Sequence, residues 1–304
     1  MQNSATISHL IQQEESTEQN DEMLSSPATL YTIAVTGGKG GVGKTNIAAN
    51  LALAMTQFGK RVGIFDADLG LANIDVLFRL NPRYTLKHVL AGEKSIEDII
   101  VKGPLGISVI PASSGISALA NLPASSRKKL IGELGRLANI LDILIIDTPA
   151  GIGDNVLSFV LASDEILVVT TPDPQAYLNA YALIKVISNK RKGRFNLLVN
   201  MVKSMAQARE TADILQAVAK RYLNLSGISL VGYIPNDARF RNAFLREGAP
   251  LILEYPESRS AKCLKALAKK FVTAMERREQ STDFFSNVEE FQSNQSRDDK
   301  EIED

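Results

Sequence analysis

The chain has 304 residues, 45% of them apolar and 22% charged, an ordinary globular balance with enough apolar material to bury a core. Cys263 is the only cysteine, which excludes an internal disulfide and a zinc or iron–sulfur site within one chain. No apolar stretch approaches the roughly 20 residues that span a bilayer, and the polar, acidic N-terminus is unlike a signal peptide, so the expected location is the cytoplasm.

Formal net charge is zero but unevenly spread. Residues 1–28 carry five acids and no Lys or Arg, and residues 280–304 carry eight acids against Arg297 and Lys300. Residues 29–279 are left with 32 bases and 21 acids, a core near +11. Such a core suits an anionic partner (lipid headgroup, nucleic acid or acidic protein surface), unless the tails serve solubility alone. The expected organisation is a disordered acidic tail over 1–28, one domain over 29–279, and a second acidic tail over 280–304.

From Tyr31 onward short apolar runs recur, most of them too continuously apolar for half-exposed strands, and these read as strands buried on both faces. The first, YTIAVT (31–36), leads into TGGKGGVGKTN. Gly38, Lys39, Gly40, Gly41, Val42, Gly43, Lys44 and Thr45 there satisfy the phosphate-loop pattern, with Asn46 inside a helical segment over 44–58. Glycines let consecutive backbone N–H groups turn inward around phosphate oxygens, while the helix aims its positive end at them. Lys44 supplies a point charge to the β- and γ-phosphates, and the Thr45 hydroxyl is a ligand for Mg²⁺. A nucleotide is the expected occupant.

The second run, RVGIFD (61–66), continues as FDADLGLANID. Asp66 and Asp68, two apart on an extended segment, point the same way, towards the carboxyl edge where the phosphate loop lies; simple strand-end capping is the alternative. After ISVIP (107–111) and a helical segment over 124–140 comes DILIID (142–147), whose four apolar residues deliver Asp147 to that edge. A carboxylate there is placed to hold Mg²⁺, through a water. The chain then alternates a helix over 153–163, EILVVTT (165–171), a helix over 175–191, RFNLLVN (194–200), a helix over 206–222, SLVGYIP (229–235) and a helix over 258–278. This alternation predicts an α/β P-loop NTPase fold with a mostly parallel twisted sheet flanked by helices on both faces.

The second lysine in KGGVGKT, Lys39, marks the deviant Walker A motif, and the sequence resembles the MinD/ParA-type ATPases at each landmark. The resemblance implies that Lys39 crosses a dimer interface to the partner's nucleotide, so ATP is sandwiched in a homodimer. It implies that Asp68 orients the attacking water, that Asp66 sits near the magnesium shell, and that a glycine N–H in TPAG (148–151), such as that of Gly151, approaches the γ-phosphate. It also implies that Asn200 and the loop at Pro235 and Asp237 read the adenine edge. Asn200 has the donor and acceptor this requires, while Pro235, Asn236 and Asp237 also read as an ordinary turn.

Within the class, DADLGLANIDVL, the IIDT-x-AGIGD segment and AYALIK (180–185) resemble the flagellar-number regulators of the FlhG/FleN group, over about residues 31–278. That resemblance implies an FlhF-type GTPase and a FleQ-type transcription activator as partners. The Asp-Gln-Ala motif by which some members stimulate the GTPase has no counterpart beside Gln12 and Gln13. A division-site ATPase and a DNA-partitioning ATPase are the alternatives, the latter through the basic cluster Lys190, Arg191, Lys192 and Arg194. In the last tail Phe284, Val288 and Phe291 share one helical face, beside Phe285. Relatives use such a segment for reversible membrane contact, but Asp283, Glu289 and Glu290 oppose anionic lipid, so docking on the basic core when monomeric is the favoured expectation.

Overall fold

The computed structural model describes residues 29–69, 73–112, 122–242 and 249–277. The two tails, with the apolar face at Phe284, Val288 and Phe291, lie outside the described residues.

Eight strands form one sheet: β1 (Tyr31–Thr36), β2 (Val62–Asp66), β3 (Val101–Lys102), β4 (Ser108–Ile110), β5 (Ile143–Asp147), β6 (Glu165–Thr170), β7 (Phe195–Val202) and β8 (Ile228–Pro235). Their order is β3-β4-β2-β5-β1-β6-β7-β8. Every pairing is parallel except β3 with β4, so the sheet is mostly parallel, as expected.

The pleat explains the apolar runs. Ile33, Val35, Ile64, Ile143, Ile145, Leu167 and Val169 enter one core. It is completed by α1 (Lys44–Thr56), α9 (Leu251–Glu254) and α10 (Arg259–Glu276). Phe65, Leu144 and Ile146 enter a second core with α4 (Ala124–Gly135) and α5 (Asp154–Ala162). Ala34, Val168, Leu197 and Val199 enter a third with α5, α6 (Pro174–Lys190) and α7 (Met205–Leu223). Alternate residues go to opposite faces, and both faces are covered, so the strand interiors are mainly apolar, with buried Thr32, Thr36 and Thr170 as polar exceptions.

α1 is enclosed almost all round: every residue from Ile47 to Met55 is buried. Its one buried amide side chain, Asn50, is satisfied at both ends. Its Nδ2 donates to the Asn46 carbonyl at 2.7 Å, and its Oδ1 accepts from Ile252 N at 2.9 Å, which ties the helix to α9.

The long elements match expectation within a residue or two at most ends. The segment over 124–140 divides into α4 and a 3-10 turn, Arg136–Asn139. β7 does not stop at Asn200 but runs to Val202, and its pairing with β8 shifts between Val199 and Val202. The short helices α2 (Ile74–Leu77), α3 (Leu86–Leu90), α8 (Ala238–Asn242) and α9, and the two-residue β3, were not foreseen. None spans enough residues to display a period.

Candidate nucleotide site

The carboxyl ends of β1, β2, β5 and β7 gather the candidate residues around the loop over 37–43. This loop follows the central strand and opens α1, where Ile47 N donates to the Gly43 carbonyl at 2.9 Å. A side chain at Gly38 would overlap the Asn179 carbonyl of α6, so only glycine lets the loop lie this close to that helix. Gly43 has φ +95°, and a Cβ there would come within 2.6 Å of Asn200 Nδ2. Lys44 is buried at 8% exposure; burial lowers its pKa, opposed by the charges of Asp147 and Asp68.

Asp66 and Asp147 are direct neighbours across β2 and β5. The Asp66 carboxylate accepts from three backbone N–H groups: Oδ1 from Asp68 at 3.0 Å, and Oδ2 from Asn73 at 2.7 Å and Ile74 at 3.2 Å. Burial still raises its pKa to about 6. Asp147 is more extreme: burial, then the charge of Asp66, pushes it up to about 8, against the Thr45 hydrogen bond and the Lys44 charge. Its Oδ1 is buried without a hydrogen-bond partner. A buried carboxylate oxygen left unmatched is costly unless a ligand completes it.

This donor set fits Mg²⁺. Among the described residues no group of three or more His, Cys, Asp or Glu could hold a metal alone. Mg²⁺ on a nucleotide needs only a carboxylate or two, a hydroxyl, waters and phosphate oxygens. Asp147 and Thr45 supply the first two of these, with Asp66 adjacent. After β5, Gly151 turns the chain at φ +105°, and Ile152 beside it is 50% exposed.

Lys39 is not extended outward. Its Nζ lies 3.2 Å from Asp173 Oδ1 and 3.3 Å from Gln175 Oε1, both of the same chain. Asp173 is the N-cap of α6, where its Oδ1 also accepts from Ala176 N at 3.0 Å. The Lys39 hydrogen bond, then the one from Ala176, holds its carboxyl below the usual range.

The β7–β8 side is different again. Asn200 is buried at 5% exposure, with Nδ2 donating to the Val42 carbonyl at 2.8 Å and Oδ1 accepting from Met201 N at 2.9 Å. Pro235 pairs with Val202, and Asn236 N donates to the Val202 carbonyl at 2.8 Å, so the Pro235–Asp237 loop does adjoin the end of β7. Asp237 Oδ1 accepts from Arg239 N and Nε, and its Oδ2 from the Arg239 guanidinium and Ser260 Oγ. Burial raises the pKa of Asp237, but the Arg239 hydrogen bonds outweigh it and leave the carboxyl below its ordinary value.

The structure thus brings Gly38 to Asn46, Asp66, Asp68, Asp147, Asn200 and Pro235 to one sheet edge. It also adds residues that the sequence reading missed. Asp173 and Gln175 hold Lys39, and Asn50 anchors the phosphate-loop helix. Of these only Asp173 carried a signal, since Asp-Pro is a strong N-cap and N1 pair. In the basic cluster Arg191 is engaged: its Nη1 donates to the carbonyls of Leu161 at 3.0 Å and Ser163 at 2.5 Å, closing the end of α5.

Residues 29–272 match the ParA family model, described as NUBPL iron-transfer P-loop NTPase. The chain belongs to the ParA family of P-loop NTPases. Among ParA-family relatives, the antiactivator FleN of Pseudomonas aeruginosa is 41% identical over 251 residues, covering 82% of this chain and 89% of that protein. The flagellum site-determining protein YlxH of Helicobacter pylori is 38% identical over 245 residues, covering 80% and 82%. The cell division ATPase MinD of Pyrococcus furiosus superposes with a TM-score of 0.68 at 27% identity, over 80% of this chain and 99% of that one. The chain therefore has the MinD-like fold. The iron transfer in the family description finds no thiol cluster here, since Cys263 stands alone on α10.

Proposed function

We propose that the chain, with residues 29–279 as its working domain, is a slow Mg²⁺-dependent ATPase that dimerises on ATP and regulates the number or placement of flagella. The observation that carries the chemistry is the unmatched, buried Asp147 Oδ1 beside Thr45 and Lys44 at the mouth of a phosphate loop. The likeness to FleN and YlxH supports the biological role.

In this reading the backbone N–H groups of Gly38 to Thr45 and the Lys44 ammonium bind the β- and γ-phosphates. Thr45 and Asp147 would hold Mg²⁺, which neutralises charge on the phosphate oxygens when bound. Asp66 fixes the backbone of Asp68, Asn73 and Ile74 through its three hydrogen bonds, so Asp68 is held on a rigid support to orient water. Lys39 leaves Asp173 and crosses to the partner's nucleotide, with Gly151 N–H facing the γ-phosphate. The base lies against Asn200, Pro235 and Asp237. An FlhF-type GTPase and a FleQ-type activator are the proposed partners. For the C-terminal tail the proposed role is to act on the basic core of the monomer, with reversible membrane contact as the competing role. A DNA-binding surface is disfavoured because Arg191, central to the basic cluster, is committed to the end of α5.

The test is phosphate release with ATP, with and without excess EDTA, alongside light scattering and flagellar counts in a deletion strain. ATP-dependent, EDTA-sensitive turnover with a doubled particle mass and altered flagellar number is expected. Turnover that ignores EDTA, or an unchanged count, would refute the corresponding part.

A further inference from the structure

β7 carries an irregularity at the point where it meets the phosphate loop. Its pairing with β8 shifts between Val199 and Val202, and Met201 takes a left-handed φ of 58°, unusual for a residue with a side chain. Asn200 lies within this shift. Both ends of its amide are engaged: Oδ1 accepts from Met201 N at 2.9 Å, and Nδ2 donates to the Val42 carbonyl at 2.8 Å. At 5% exposure, little water can replace either bond.

The Val42 carbonyl belongs to the peptide unit that joins Val42 to Gly43. In a trans peptide the C=O and the following N–H point in opposite directions. Asn200 holds the carbonyl on its own side, so the Gly43 N–H is turned to the other side of the loop. Gly43 is where the loop would most easily lose this orientation. It sits at φ +95°, in a region glycine enters freely, so rotation of the 42–43 peptide meets little resistance from the residue itself. The resistance comes from Asn200, whose Nδ2 also occupies the space beside Gly43 where a Cβ would stand.

We propose that Asn200 is a positioning residue for phosphate binding: it fixes the 42–43 peptide with the Gly43 N–H available to the nucleotide phosphates. This rests on the nucleotide reading above and deepens it, because the side chain proposed to face adenine also sets the geometry of the phosphate cradle. The register shift and the left-handed Met201 fall at the residue whose amide meets the loop.

The experiment compares the full-length wild type with Asn200→Ala and with Asn200→Leu, which keeps most of the volume and removes the donor. Calorimetry measures binding of ATP, GTP and inorganic tripolyphosphate, and thermal melting reports whether each variant is folded. Tripolyphosphate has no base, so a residue that only reads adenine cannot affect it. The expected result is a loss of affinity of about tenfold for tripolyphosphate and for GTP, as one charge-assisted N–H contact is lost from the cradle, and at least that loss for ATP. If either folded variant loses ATP preference over GTP while binding tripolyphosphate as the wild type does, Asn200 reads the base alone and the proposal is overturned. Unchanged binding of all three overturns it as well. If Asn200→Ala does not fold, the Leu variant decides. Failure of the wild type to bind ATP overturns the nucleotide reading itself, and this inference with it.

Discussion

Asp147 and Asp237 stand at the carboxyl ends of the same sheet, and their surroundings are opposite. Around Asp147 the strands β2 and β5 and the first turn of α1 supply burial and a second carboxylate, and one oxygen is left without a partner. Around Asp237 an arginine and a serine occupy both oxygens. The first carboxyl is pushed up to about 8, the second held below its ordinary value. The difference separates a carboxylate with one oxygen open to a ligand from one whose two oxygens are both engaged within the chain. Asp66 falls between: three backbone N–H groups satisfy it, yet burial still raises it to about 6.

The contrast can be broken most forcefully through the charge that faces Asp147. Lys44→Ala removes the buried ammonium of the phosphate loop, and ATP affinity should fall by more than about a hundredfold. Calorimetry checks it, and near-normal affinity would mean the loop does not hold phosphate.

Asp147→Asn should next reveal the cost of the unmatched carboxylate. Because the folded pKa lies above the unfolded value, the folded state holds the extra proton and this group's contribution falls as pH rises through about 8. Without nucleotide or metal, the variant should melt about 5 °C above the wild type near pH 9, and the gap should close in acid. Its turnover should be lost. A variant that melts lower at every pH would show that Asp147 is satisfied by something in the fold.

For Asp237 the sign reverses. Its folded pKa is depressed, so its contribution is present above the ordinary carboxyl range and lost as pH falls through the folded value. Asp237→Ala should cost about 1 kcal/mol at neutral pH, with the deficit disappearing in acid. Chemical denaturation at two pH values reads this directly.

Lys39→Ala should have the smallest effect on the fold. The ion pair with Asp173 is between partly exposed side chains, at 36% and 50%, and such pairs contribute under about 1 kcal/mol. Melting temperature and ATP affinity should stay near wild type, while ATP-dependent dimerisation and turnover weaken. A Lys39 variant that dimerises and turns over normally would remove the sandwich from the proposal.

What could be read in advance follows sequence distance. The phosphate loop, Asp66 with Asp68, and the apolar strand before Asp147 are contiguous patterns, and each was legible because its residues adjoin. Lys39 with Asp173, and Asn200 with Val42, are separated by 134 and 158 positions, and no local pattern announces either contact. The overrun of β7 past Asn200 was hidden for a related reason: the amide of Asn200 interrupts the apolar run, and the strand resumes through a left-handed Met201 to Val202.

The enclosure of α1 has a consequence for synthesis. The helix that opens the nucleotide site leaves the ribosome early, but much of the surface that covers it comes from α10, with Ala261, Leu264, Leu267 and Phe271 in its core. The Asn50 contact likewise waits for Ile252. A nascent chain can therefore form its central strands while the phosphate-loop helix still lacks its cover. If the loop holds nucleotide as proposed, binding is expected only once α10 has been made and packed on α1.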